Sequence, residues 1–156
     1  MDDAQMLVLE LGSKGYSCGQ MVMVGGLRLM GRDNPDLVRA MAGLAQGVGC
    51  GGEICGALAG GVCLVALHTA KGLEEEQALE QSTPLMNSLV EWFREELRAG
   101  GDIRCDAILG RDDASAAARR AMDQDRCGTL VAQTWSKAVA LLAEAGLDPA
   151  MGRELP

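Results

Sequence analysis

Aromatic side chains are almost missing from this chain. Its 156 residues include two tryptophans, one tyrosine and one phenylalanine, so a core must be built from Leu, Val, Ala and Met. With β-branched residues also scarce, closely packed helices are favoured over a sheet. Positive charge is in deficit as well, the formal net charge being −8. Binders of nucleic acid and of anionic membranes usually carry a basic patch, so both classes are set aside. Long apolar runs are also lacking. The longest uninterrupted stretch of apolar residues and glycine, Ile54 to Leu67, has fourteen residues, whereas a spanning helix needs about 20. No membrane insertion is expected. The first residues, MDDAQMLVLELGSKG, have neither the basic start nor the long apolar segment of a secretory signal, and the chain reads as cytoplasmic.

Familiar catalytic patterns are lacking too. Histidine occurs once, at His68, and no Ser/His/Asp or paired-carboxylate arrangement can be singled out. On a regular helix His68 would lie about 220° around from Cys55. That argues against joint ligation and leaves it as a solvated or capping residue near a helix end. The close C-x₂₋₄-C pairs of most structural zinc sites are missing; only Cys50 and Cys55 come near that spacing. GVGCGG lacks the Lys-Ser/Thr that completes a phosphate-cradling loop. The acidic run EEEQALEQ, Glu74 to Gln81, reads as a solvated link or helix face.

What the chain does have is glycine, 21 in all, and six cysteines. Stop signals and three-to-four spacing predict an all-α fold, a compact bundle of roughly five to seven helices. It is expected to form a single domain over residues 1–156 with its core at about 16–145. Helices are expected from Asp3 to about Ser13, from the Ser17 cap onward, and from Asn34–Pro35 as N-cap and first position. A fourth should run from near Glu53 to about Lys71 and a fifth from Leu85 to about Arg98. A short turn over Ile103–Leu109, a polar link and a last helix from about Asp123 to Ala145 complete the chain.

Four cysteines then fall at helix starts: Cys18 after Ser17, Cys55 just inside the fourth helix, Cys105 after GGDI, and Cys127 early in the last helix. Free N–H groups and the helix dipole favour an anion there, and hence thiolate over thiol. Four thiolates brought together from separate helices would suit a soft metal or an iron–sulfur cluster. A buried cysteine can equally be a small hydrophobe, and Cys63, mid-helix in GGVCLVAL, fits that reading best. Cys50 lies in the stretch GVGCGGEICGALAGG, Gly47 to Gly61, where seven of fifteen residues are glycine. Cys50 and Cys63 are candidate further ligands. Gly47 to Gly52 reads as a turn, with Gly51 and Gly52 as points of close backbone approach. Gly56 and Gly60, four apart, bare a helix face to another helix or a cluster. Two alternatives stay open: a metal-free dithiol protein using Cys50 and Cys55, and a zinc-binding helical protein.

The segment CGALAG, Cys55 to Gly60, and the order of the cysteines resemble the C-GCAxxG-C-C family of redox-active proteins. By motif the four family cysteines fall on Cys18 in YSCGQMV, Cys55, Cys105 in IRCDAILG and Cys127 in RCGTLV. The resemblance covers about Tyr16 to Leu142 and implies a largely helical fold. A related module in the split-Soret cytochromes is associated with an iron–sulfur centre beside haems; this chain has no C-x-x-C-H, so haem is not implied. It departs from the family pattern in its extra Cys50 and Cys63 and in a shorter glycine loop before Glu53. The resemblance and the residues together point to a small redox protein that binds an iron–sulfur cluster and acts in electron transfer or redox sensing. A redox partner protein is implied, and the small-residue helix face would also suit a homodimer.

Overall fold

Capping residues fix the helix starts. The computed structural model describes residues 1–111 and 124–153. Asp2 opens α1 (Asp3–Ser13): its carboxylate accepts the Gln5 N–H while the Gln5 side chain accepts the Asp2 N–H, a reciprocal capping box. At α2 (Cys18–Leu29) the Gln20 carbonyl accepts from both the N–H and the hydroxyl of Ser17. Gln20 also donates to the Val38 carbonyl, tying α2 to α3 (Pro35–Met41), which is capped by Asn34 and continues as a 3₁₀ turn, Ala42–Leu44. Then come α4 (Gly56–Thr69), α5 (Ser82–Trp92), a π-helical turn (Phe93–Leu97), α6 (Cys105–Leu109) and α7 (Gln124–Glu144). Among the described residues there are seven α-helices and no strand, so the fold is all-α.

The start of α4 and both ends of α5 differ from expectation. α4 starts at Gly56, three residues later than Glu53, because an antiparallel bridge between Ile54 and Arg104 holds the preceding residues extended. α5 starts at Ser82, ahead of Thr83–Pro84. Its end widens into the π turn, with the Arg98 N–H donating to the Phe93 carbonyl, and Phe93 is fully buried there. The run Glu74–Gln81 is neither helical nor wholly solvated: Glu76 is 5% exposed and accepts the N–H groups of Gly72 and Leu73. Those amides hold its carboxyl below the usual range. His68 is not solvated either, being 3% exposed. Most of the polar link, residues 112–123, lies outside the described residues.

α4 is the centre of the bundle, with α2, α5 and α7 packed around it. Its sequence is apolar all round, as expected for a buried helix. Leu64 and Val65 of α4 are fully buried with Met21 and Val22 of α2, Leu89 of α5 and Val131 of α7. The α2–α4 contact is close because neither backbone carries a side chain there. A Cβ on Gly60 would lie 2.9 Å from the Gly19 Cα. A smaller cluster of Met23, Leu27 and Met41 takes Cys63 against it. α1 is fastened to α2 by two bonds from the Arg28 guanidinium to Glu10. Arg28, then Lys14, hold the Glu10 carboxyl at about 2. A depressed carboxyl pKa stabilises the fold above the ordinary carboxylate range, and this support is lost as pH falls toward that value.

Two glycines test this packing. Gly60→Ala should lower stability by about 1–3 kcal/mol, the usual cost of overpacking against backbone. Gly12→Ala meets nothing within 4 Å and should raise stability by up to about 1 kcal/mol through helix propensity. Urea unfolding of both variants checks the pair; a neutral Gly60→Ala would contradict the close α2–α4 contact.

Candidate functional site

Cys18, Cys55, Cys105 and Cys127 line one cavity of about 50 Å³, together with Ser17, Gln46, Arg111 and small or aliphatic side chains. Each sulfur arrives by its own route. Cys18 is the first residue of α2. Cys55 is the N-cap of α4. Cys105 is the first residue of α6, and Cys127 lies in the first turn of α7. The bridge aligns two of them, since the Cys55 N–H donates to Ile103 and the Cys105 N–H to Glu53. Glycine brings in the third: a Cβ on Gly56 would meet the Cys18 Sγ at 2.4 Å and the Leu44 carbonyl at 2.5 Å. None of the six cysteines is in a disulfide. Among the described residues no three His, Cys, Asp or Glu side chains gather tightly enough to hold a single metal ion.

Cys55 and Cys105 are not the low-pKa groups that helix starts alone suggest. Burial pushes Cys55 up; the amides of Leu58 and Ala57 oppose this without forming a full cap. Cys18 raises it further and Arg98 opposes. Cys105 is pushed up to about 11, first by burial, then by the sulfurs of Cys55 and Cys18 and by Asp106, with Arg111 opposing. Desolvation of a charge outweighs the helix terminus here. The other two cysteines sit elsewhere. Cys63 is half-buried, is raised by burial alone, and belongs to the methionine-rich cluster. Cys50 is exposed and is not among the cavity's lining residues.

The glycine loop before Cys55 takes an unexpected form. Gln46, Gly47, Val48, Gly49 and Cys50 have successive φ of 48°, 79°, 63°, 58° and 60°, a left-handed run that a β-branched residue such as Val48 rarely enters. Hydrogen bonds over-determine it: Gly49 N–H to Gly43, Cys50 to Ala45, Gly52 to Gln46 and Glu53 to Gly47. The loop turns Ala45 and Gln46 to the cavity and leaves Val48 and Cys50 outside. At Gly52 the close neighbour is not a sulfur but the Asp106 carboxylate, 2.1 Å from where a Cβ would stand. The close approach at Gly51 is likewise within the loop, to the Val48 carbonyl.

Residues 16–141 match the model of a family described as "Putative redox-active protein (C_GCAxxG_C_C)". The chain belongs to this family. No curated protein and no solved structure matches it. The match takes in all four cavity cysteines of this C_GCAxxG_C_C protein. Sequence reasoning missed Gln46, Asp106 and Arg111: the left-handed loop and the Ile54–Arg104 bridge that place them leave no periodic signal.

Burial and exposure set an order of reactivity for the reduced, metal-free protein. At pH 7.5 iodoacetamide should modify Cys50 first, and Cys55 and Cys105 last. The rate at Cys105 should climb about tenfold per pH unit until its thiol titrates, because thiolate is the nucleophile. Peptide mass spectrometry checks this; labelling of Cys55 or Cys105 as fast as Cys50 would contradict the buried, protonated site.

Proposed function

We propose that this protein is a small cytoplasmic redox protein whose Cys18, Cys55, Cys105 and Cys127 hold an iron–sulfur cluster in the cavity they line. The single observation that carries this reading is the convergence of four thiols from four separate helix starts on one largely apolar space. The donor set fits in kind, since soft thiol sulfurs are the usual cluster ligands. The wall fits in shape, since Gly56 is bare where a side chain would displace Cys18. When bound, a cluster would supply one-electron redox chemistry. The protein's own part would be to hold the four sulfurs, exclude water with Leu109 and Leu130, and set the local charge with Arg98, Arg111 and Asp106.

An iron–sulfur cluster is favoured over a lone zinc ion because the close C-x₂₋₄-C pairs of most structural zinc sites are missing from the sequence. A metal-free dithiol role is less well supported. It calls for an activated thiolate with a nearby resolving thiol, whereas Cys55 is raised by burial and Cys50 is exposed outside the cavity. Electron transfer or redox sensing with a partner protein is the role this site would serve, and the six thiols outside any disulfide suit a reducing compartment. A homodimer stays part of the proposal, on the strength of the small-residue composition alone.

Anaerobic reconstitution with iron and sulfide is the test. Wild type should acquire visible absorption and bound iron. Alanine at Cys18, Cys55, Cys105 or Cys127 should abolish or strongly reduce both, while Cys50→Ala and Cys63→Ala should retain them. A colourless, iron-free wild type would overturn the proposal. Loss of two thiols on oxidation without metal would favour the dithiol role, and stoichiometric zinc the third.

A further inference from the structure

His68 is buried, and both of its ring nitrogens face backbone carbonyls. Nδ1 lies 3.0 Å from the Leu64 oxygen and Nε2 lies 3.0 Å from the Pro149 oxygen. A neutral imidazole has one N–H and one lone pair, so it can donate to only one of them; the imidazolium donates to both. The second carbonyl belongs to the segment that follows α7 and lies across the end of α4. Among the described residues arginines also anchor that segment: Arg32 donates to the Met151 carbonyl, and Arg153 donates to the carbonyls of Thr69 and Gln77. Arginine keeps its charge, whereas histidine exchanges its proton in the physiological range.

We propose that His68 is a proton-operated latch. As imidazolium it joins Leu64 of α4 to Pro149 and fastens the segment 147–153, and loss of one proton loosens that segment. Among the described residues, the charged groups around this end of the bundle bond elsewhere or face solvent. On the α4–α5 link, Lys71 donates to the Glu74 carbonyl and Glu76 accepts the Gly72 and Leu73 N–H groups. Asp148 accepts the Ala150 N–H. Arg28 of α2 is paired with Glu10, and Glu80 ahead of α5 and Glu144 at the end of α7 are exposed. The segment covers Met30, whose Sδ lies 2.7 Å from a Cβ placed on Gly152. Release would therefore open the fold toward the methionine-rich cluster that holds Cys63.

Amide hydrogen exchange on the full chain at pH 5.5 and 8.5, corrected for intrinsic rates and referenced to the α4 core, tests the latch. The amides of Leu147 and Met151 should lose about tenfold or more of their protection at the higher pH, the ratio that accompanies loss of a hydrogen bond from a charged donor. His68→Phe should flatten that dependence. Long-range ¹H–¹⁵N spectra of the wild-type imidazole give an independent reading that does not need the variant to fold. Both nitrogens should be protonated at pH 5.5. Protection independent of pH in the wild type, the same pH slope in His68→Phe, or a single neutral tautomer at pH 5.5 would overturn the proposal.

Discussion

The site depends on one close contact between α2 and α4. Gly19 and Gly60 remove the side chains that would hold the two helices apart, and the first residue of α2 then lies against the first residue of α4. That places the Cys18 sulfur beside Gly56, next to the N-cap Cys55. Interiors are packed to near-crystalline density, so such a contact positions its sulfur with little freedom. Helix propensity is given up at several glycines of these two helices, and the burial of Met21, Val22, Leu64 and Val65 around the contact offsets it.

The second fastening is the bridge between Ile54 and Arg104. Cys55 and Cys105 each follow one of its partners directly and each stand at a helix start. One feature thus orients two cysteines that are fifty positions apart in the sequence. The same arrangement buries them. A buried sulfur near other sulfurs resists ionisation, and the raised pKa values of Cys55 and Cys105 express that. A site of this kind disfavours thiolates that carry their charge alone; in the proposed cluster they would share it with iron. Helix termini direct the charge here without creating it.

Much of the architecture was legible in the sequence because it rests on local signals. Ser17 and the Asn34–Pro35 pair stand at the starts they announced, and the scarcity of aromatic and β-branched residues pointed to an all-α fold. The four cysteines that line the cavity are those that fell at helix starts. What was not legible is long-range or conformational. The Ile54–Arg104 bridge delays α4 and turns Cys55 into a cap, and nothing periodic in the sequence encodes it. The left-handed run through Val48 contradicts the local preference of that residue, and only the hydrogen bonds of the folded loop sustain it. His68 looked like a solvated helix end because its partner, Pro149, lies 81 residues away. Glu76 was hidden in an acidic run for a different reason: it accepts two local amides instead of facing water.

In the proposed site, four cysteines drawn from four helix starts would hold one cluster in the cavity they share. A crystal structure of the protein reconstituted and crystallised without oxygen tests it most directly. Anomalous iron density should lie inside the cavity, bonded to the sulfurs of Cys18, Cys55, Cys105 and Cys127, with Cys50 and Cys63 unligated. Iron bound at Cys50 or Cys63 instead, or a disulfide closing the cavity between two of the four, would contradict it.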